Sequence, residues 1–433
     1  MKELIRKIFR GDGILWFVIL SLLAISGVIM FSAISSSAYN HDNHLLPFWG
    51  HLKHLFMALA VILIVHQFAF RNIRLFLLLI PIASLLLLIL TPSLGRDVNG
   101  AMRSITIGGF EIQSIEISKV AIVILFAEIL GFYNTHYKKP MALKPFCIMS
   151  GILGVFCFLV MIQNFSTAFI LFMVTCLMML IGKVSFKYIL SLIGVVIVVA
   201  GLFIGISYAF KIENGITKRV NTWIGRIDQY NAKEGNDKES ATIVIDDKNR
   251  QIMNSKIAIA NGIQPCGPGN SVQRDYLALA YSDFVYAVII EEYGMYGGIF
   301  TILLYIIILA RAGKIARQCK QEEATESLLV IGLALNIVTH AFINMSVANE
   351  LGPVTGQTLP LISRGGMSLL VTALSFGLIL GISAHNKERI EKEQAATLPQ
   401  SEENTEPFET ETETETETET EAEIETETLN NQE

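Results

Sequence analysis

Ten apolar runs, at about residues 14–34, 52–70, 74–91, 115–134, 146–162, 166–182, 188–208, 284–310, 327–347 and 365–384, leave this chain few ways to fold. A helix needs roughly 17–25 mainly apolar residues to cross the ~30 Å hydrocarbon core of a bilayer. Inside that core only helices and closed barrels satisfy every backbone N–H and C=O. Barrel strands are short and alternate, whereas these runs are long and continuous, so helices are expected. Composition agrees: 17% of residues are charged, against about 25% in soluble domains. The fifth and sixth runs are separated only by Gln163, Asn164 and Phe165. Fused, they would make a helix of about 37 residues, too long for the core. A hairpin with a polar tip at Gln163-Asn164 is expected instead. The fold class is therefore all-α, a polytopic integral membrane protein of about ten transmembrane helices.

Charge then orders the loops. Residues 401–433 hold fourteen Glu and no Lys or Arg. Removing those charges from the formal −6 leaves residues 1–400 at +8, a basic body with a separate acidic tail. Lys2, Arg6, Lys7 and Arg10 gather at one set of span ends, with Arg71 and Arg74, Lys138, Lys139 and Lys144, Lys183 and Lys187, and Arg311, Lys314, Arg317 and Lys320. The opposite short loops carry mainly Lys53, Arg96 and Arg103. Positive charge stays on the cytoplasmic side, so both termini are expected inside. The polar loop 209–283, roughly 75 residues long, is expected outside. Residues 1–390 form the expected membrane domain. Residues 391–433, rich in Glu-Thr repeats, lack the apolar surface to fold and are expected to be disordered.

The five Cys form no CxxC pair, so neither a zinc site nor a disulfide framework is expected. Met1–Arg10 has the charge of a signal-peptide start, but no clean small-residue cleavage site follows the first run, and a retained first helix is expected.

Several ionisable residues fall at the expected outer face. Glu116 and Lys119 are three apart on one helix face; they can be a structural ion pair, but charges at membrane depth concentrate at functional sites. With Arg96 and Arg103 in the preceding loop, Lys119 suits an anionic, lipid-anchored substrate such as a pyrophosphate-linked lipid. Asp283 opens the eighth span, where a carboxylate can serve as N-cap, as can Ser282. Glu291 and Glu292 lie two turns further in and need a partner or a polar cavity. The segment Gly267-Pro-Gly-Asn-Ser-Val-Gln273-Arg274 lacks a P-loop ending; it is either a turn or a place where backbone N–H groups approach phosphate or sugar. Another outer loop runs from Pro353 to Gly366 and includes Ser363 and Arg364. His340 and Asn344, four apart, read as interhelical hydrogen-bonding groups rather than metal ligands.

At these residues the chain resembles the RodA/FtsW/SpoVE family, the shape, elongation, division and sporulation (SEDS) proteins, over roughly residues 10–390. The family pattern Gly-Ala-Arg-Arg-Trp…Gln-Pro-Ser-Glu…Lys is met at Gly100, Arg103, Gln113, Glu116 and Lys119, with Ser104 for Trp and Ser114-Ile115 for Pro-Ser. Pro-Asp-Phe-Gly-Thr-Ala is met by Gln163-Asn164-Phe165-Ser166-Thr167-Ala168, losing the carboxylate. The stretch that carries the family's catalytic Asp is met from Leu277 to Ala287 and keeps Asp283, while its Pro-Glu is lost. Glu-Glu-Leu-Gly becomes Glu291-Glu292-Tyr293-Gly294. The pattern from Pro-Val-Thr-Gly to Ser-Tyr-Gly-Gly-Ser-Ser becomes Pro353–Ser368, with Arg364 for Tyr and Met367 for Ser.

The resemblance implies a peptidoglycan glycosyltransferase that polymerises lipid II into glycan strands at the outer face of the bacterial inner membrane. It implies a class B penicillin-binding protein as transpeptidase partner, with other division or elongation membrane proteins; no nucleic-acid partner is expected. Chain length and the long tail lean toward the division branch over an elongation-type polymerase. Asp283 would be the general base for the attacking sugar hydroxyl. Arg103, Gln113, Glu116, Lys119, Gln273, Arg274 and Ser363 would contact substrate, and Asn164, Thr167, Glu291, Glu292, His340 and Asn344 would support the site. Arg103, Lys119 or Arg274 would offset the charge of the leaving pyrophosphate. No cofactor is required by this chemistry, and a divalent cation, Mg or Mn, is an additional source of countercharge. A lipid II flippase would suit the same helices and charges; the large outer loop and the surface placement of Asp283 favour an enzyme.

Overall fold

The computed structural model of the chain describes residues 9–35, 46–68, 70–97, 102–107, 110–137, 141–209, 225, 250–277 and 280–397. Its main helices are α1 (Gly13–Ser35), α2 (Leu46–Val65), α3 (Phe70–Leu94), α4 (Ser114–His136), α5 (Leu143–Gln163), α6 (Phe165–Ile181), α7 (Phe186–Ala209), α8 (Arg250–Asn261), α9 (Val285–Gln318), α10 (Ala324–Ala348) and α11 (Gly366–Thr397). Each expected span falls on a helix, and α8 is an additional one from the expected outer loop. Seven of the described helices are long and apolar enough to cross a membrane. The apolar stretches of α6 and α7 are shorter, and α4 carries Glu116, Lys119 and Glu128. The protein is thus an all-α, multi-pass membrane protein.

Helix α10 packs between α4 and α9 and also touches α6. Gly332 makes the approach possible: a Cβ there would lie 2.6 Å from Met178 Cε and 2.8 Å from Val123 Cγ1. Small residues play this part wherever membrane helices pack closely, because lipid offers no hydrophobic drive for association. Between α5 and α6 the helix breaks at Asn164 (φ −154°, ψ 108°), whose side chain accepts the Thr167 N–H at 3.2 Å and caps α6. The polar dipeptide ends one helix and starts the next, as its composition demands.

Four features depart from the sequence reading. Helix α2 begins at Leu46, ahead of the expected 52, because Pro47 is at home in a first turn and the polar His51 and Lys53 do not stop it. Between α3 and α4, where only a loop was expected, lies an antiparallel sheet in the order β1 (Arg96–Asp97), β2 (Met102–Ile107), β3 (Phe110–Gln113). Ser104 pairs with Gln113 and Ile107 with Phe110. The alternation of Ile105, Ile107 and Ile112 with Ser104, Thr106 and Glu111 is the period-two pattern a strand requires. The third departure is Gly294, inside the expected eighth span, which adopts φ 71° and ψ −174° and kinks α9; only glycine occupies that region readily. Last, α11 continues to Thr397, so the expected tail begins as helix. Residues 387–396 are strong helix formers, with Glu388 four residues before Lys392.

At the end of the bundle where α9 finishes, charged side chains tie helices together. Arg311 meets Asp12, which also caps α1 by accepting the Leu15 N–H at 2.9 Å. Arg74 grips Glu128 with two bonds, at 2.8 and 2.5 Å. Arg389 pairs with Glu323, and Arg10 with Glu388. Contacts divide the chain into residues 1–389 and 390–433; of the second unit, the end of α11 is described. Most of the loop 209–283, the basic residues Lys2, Arg6, Lys7, Lys138 and Lys139, and the tail from 398 lie outside the described residues.

Candidate active site

Asp283 lies two residues ahead of α9 and is 9% exposed. The N-cap position belongs to Phe284, which makes no side-chain cap bond. Neither Asp283 nor Ser282 therefore holds the cap position, which removes the simplest structural explanation for a carboxylate there. Ser282 Oγ donates to Asp283 Oδ1 at 2.8 Å. Opposite stands Gly356, with φ 66°, where a built Cβ would lie 3.6 Å from Asp283 Oδ2.

A chain of hydrogen bonds fixes the backbone around Asp283. The Asn344 amide on α10 donates to the carbonyls of Asp283 (2.9 Å) and Gln357 (2.6 Å). Gln357 donates in turn to Thr167 Oγ1 at 2.9 Å, and Thr167 is the residue whose N–H Asn164 caps. Ser363 Oγ donates to the Ser282 carbonyl at 2.6 Å and accepts the Leu359 N–H at 2.8 Å. The Arg364 N–H donates to the Tyr281 carbonyl at 2.9 Å. Ser26 Oγ donates to the Ile362 carbonyl, so the buried His51 Nε2, 3.0 Å from Ser26 Oγ, is the donor in that pair. Within this loop Leu361 is buried at φ 63°, an uncommon conformation for a residue with a side chain. Helices α1, α6 and α10 and the segment 281–282 thus hold the loop 353–364 at the mouth of α9. Sequence reasoning missed Gln357 and Ser26; a lone Gln in a Pro- and Leu-rich loop was the available signal.

Glu116 and Lys119 form an ion pair at 2.7 Å on the first turns of α4. They line a small, partly open cavity together with Asn336 and His340 of α10, Thr358 and Pro360 of the loop, and Ser368 and Ser375 of α11. His340 Nδ1 is bonded to the Asn336 carbonyl at 2.8 Å. His340 Nε2 and Asn336 Oδ1 are buried without a partner among the described residues. Such groups are costly unless something fills the space beside them. His340 and Asn344 are not bonded to each other: one faces the cavity and the other holds Asp283. Gln113 is exposed at the end of β3, and the side chain of Arg103, on β2, lies outside the described atoms, as does that of Arg96.

Glu291 and Glu292 belong to a third group, at the kink. Their carbonyls accept the N–H groups of Cys266 and Gly267, from outside the helix, each at 3.1 Å. The Glu291 carboxylate accepts from Asn261 at 2.9 Å, from Ser271 Oγ and from the Gln273 N–H. Ser32 Oγ donates to Glu292, and Arg274 donates to Ser32 Oγ and to the Gly269 carbonyl, both at 2.7 Å. The glycine-rich segment is thus wrapped on the kinked helix by the two glutamates. Partial burial, then the charges of Glu291 and Glu292, push the Cys266 thiol up from its ordinary range. Among the described residues no cluster of three or more His, Cys, Asp or Glu could hold a metal ion.

Residues 13–388 match the cell cycle protein family of FtsW, RodA and SpoVE. The chain belongs to this family. It is 31% identical over 385 residues, 86% of this chain and 92% of the relative, to a protein of Alcanivorax borkumensis named probable peptidoglycan glycosyltransferase FtsW. It is 33% identical over 311 residues, 70% and 72% of the two chains, to a protein of the same name from Halorhodospira halophila. Among solved structures, one from work on the structural coordination of polymerization and crosslinking by a peptidoglycan synthase complex superposes with a TM-score of 0.65 at 21% identity, over 87% of this chain and 98% of that one. The rod shape determining protein RodA of Thermus thermophilus gives 0.59 at 20% identity, over 87% and 97%. These structures share the fold. Family membership also places the Asp283 mouth and the Glu116–Lys119 cavity within the matched region.

Proposed function

We propose that this chain is a peptidoglycan glycosyltransferase that polymerises lipid II, with Asp283 as general base. The observation that carries the reading is a nearly buried carboxylate outside the cap position of α9, backed by a positive-φ glycine and with its backbone held by a relay from Asn344 of α10 through Gln357 to Thr167 of α6. In the reaction, the 4-hydroxyl of one disaccharide attacks the anomeric carbon of another. The C–O bond to the lipid pyrophosphate breaks, the pyrophosphate leaves with the electron pair, and Asp283 takes the hydroxyl proton. A positioned base of this kind contributes about 10²–10⁴-fold. No step is routed through a metal ion.

In this reading all ten apolar helices cross the bacterial inner membrane, both termini are cytoplasmic, and Asp283 faces outward. A class B penicillin-binding protein supplies the crosslinking step, in keeping with the synthase complex that shares the fold. The leaning toward division over elongation rests on the curated relatives, which bear the FtsW name. A Cys introduced at Asn236 is then labelled from outside the cell, and one at Lys139 is not.

The decisive experiment is product analysis of purified protein with lipid II, with and without its transpeptidase. Asp283→Asn, which keeps shape and volume, should lose at least about 100-fold in rate with an unchanged melting temperature. Full polymerisation by the folded variant would remove Asp283 as the base. Translocation of lipid II across vesicles without polymer would favour a flippase.

A further inference from the structure

The departing pyrophosphate needs positive charge beside it, and the described cations of the site are not equally free to supply it. Lys119 is already paired with Glu116 at 2.7 Å. Arg274 is bonded to Ser32 and Gly269, lies 3.7 Å from Asp275 and acts on Glu292. Arg364 differs. Among the described residues it forms no ion pair with a carboxylate. Its guanidinium carbon lies 5.4 Å over the ring of Tyr281, and the residue is half-buried. Its N–H holds the Tyr281 carbonyl, and its neighbour Ser363 holds the Ser282 carbonyl. The cation is therefore fastened to the strand of chain that delivers Asp283.

Two histidines of α2 stand close to it. His51 of α2 lies in the field of both Arg364 and His54. A Cβ on Gly366 would come within 2.7 Å of His54 Nε2, so the imidazole rests on the backbone two residues from Arg364. Two further nitrogen-bearing rings thus gather near the guanidinium. Arg is the side chain whose planar fork matches phosphate oxygens, and stacking on an aromatic ring holds the fork in one orientation before the ligand arrives. The family pattern has Tyr at this position.

We propose that Arg364, braced on Tyr281, binds the diphosphate of the lipid-linked sugar substrate in this chain. This rests on the proposed polymerase reading and names the contact that reading lacks. Anionic phospholipid headgroups share the phosphate chemistry, and the test separates the two sources.

The test uses the full-length protein in nanodiscs of phosphatidylcholine alone and of phosphatidylcholine with phosphatidylglycerol. Wild type, Arg364→Lys and Arg364→Tyr are compared for lipid II binding, for KM and kcat, and for competition by inorganic pyrophosphate. Arg364→Tyr installs the family's residue, and the melting temperature reports its folding. In phosphatidylcholine alone, Arg364→Tyr should raise both the lipid II Kd and KM about tenfold or more, with a smaller change in kcat, and weaken pyrophosphate competition to match. Arg364→Lys should fall between. Unchanged Kd and pyrophosphate competition in folded Arg364→Tyr would overturn the proposal. An effect confined to nanodiscs with phosphatidylglycerol would overturn it too, by assigning Arg364 to the bilayer. Binding is read without turnover, so loss of the polymerase reading leaves this outcome legible.

Discussion

Helix α4 carries two ion pairs, and the contrast between them separates architecture from function. Glu128 is held by Arg74 of α3 through two parallel bonds, so that pair joins two helices. Glu116 is held by Lys119, one turn away on the same helix. The two pairs are only about 13 Å apart along the axis. A pair within one helix brings no second helix into place, yet both its side chains are nearly as buried as Glu128, with 14% and 8% exposure against 10%. Burying it costs desolvation without a tertiary contact in return. It also borders a cavity with unpartnered polar atoms of His340 and Asn336. The first pair is explained by the bundle; the second is explained by what enters the cavity.

The same experiment done on both pairs gives the largest expected effect. Charge exchange of Arg74 and Glu128 (Arg74→Glu with Glu128→Arg) should keep the attraction and recover most of the stability lost in either single variant. Turnover per folded molecule should stay within about threefold, since no reacting group is touched. Exchange of Glu116 and Lys119 should recover folding as well, but polymerisation should remain down about 10²-fold, because the exchange swaps the two charges that line the cavity. Restored polymerisation in the exchanged Glu116/Lys119 protein would erase the contrast.

Two glycines, one at the kink of α9 and one inside α1, sharpen it next. Gly294 sits in a conformation reserved for glycine, and a Cβ there would meet the Gly262 carbonyl at 3.3 Å. Gly294→Ala should cost about 1–3 kcal/mol, seen as a fall in melting temperature of several degrees, and should loosen the loop wrapped on Glu291 and Glu292. In the middle of α1, a Cβ on Gly27 would meet nothing within 4 Å, so Gly27→Ala should be neutral or slightly stabilising. Equal destabilisation by both would show that the kink is not the strained element.

These contrasts also mark where the sequence was readable. The helices were, because each apolar run has only one way to satisfy its backbone in lipid. So was the break at Gln163-Asn164, where polar residues interrupt the run. The kink was not: Glu291-Glu292-Tyr293-Gly294 reads as ordinary helix, and the donors to the Glu291 and Glu292 carbonyls come from the loop 262–274, distant in sequence. The sheet between α3 and α4 was hidden in a short loop, where strands of two, six and four residues carry little periodic signal. Asp283 was found from its position, but its place one residue ahead of the cap depended on the exact start of α9, which pattern reading leaves open by a few residues. The Asn344–Gln357–Thr167 relay was half visible. Asn344 announced itself as a polar group in an apolar helix, while its partners are loop and backbone groups that no spacing rule connects.

Gln357 tests that relay with a smaller effect. Gln357→Leu removes the bond to Thr167 and leaves the backbone bond to Asn344 in place. Loss of one hydrogen bond among buried groups is worth about 0.5–1.5 kcal/mol. If the relay positions Asp283, kcat should fall about three- to tenfold with KM little changed, and the pH profile should keep its shape. A change in KM alone would place Gln357 at the substrate rather than behind the base.

The smallest effect is expected at the far end of α11. Asn386 is fully buried and its amide faces the Ile315 carbonyl at 3.3 Å, while Arg389 reaches both Glu323 and the Gln318 carbonyl. Cutting the chain after Asn386 therefore removes Glu388 and Arg389, two members of the ion-paired end, and should lower the melting temperature by a few degrees with the rate per folded molecule intact. Cutting after Thr397 removes only the Glu-rich remainder, residues 398–433. Those residues combine repeated acidic charge with almost no apolar surface, so they have little to bury. That truncation should leave melting temperature within about a degree and polymerisation within about twofold of the full chain, a change below 0.5 kcal/mol as for other surface alterations. A large loss of polymerisation at equal amounts of folded protein would make the tail part of the catalytic machinery and would move the boundary of the functional domain past Thr397.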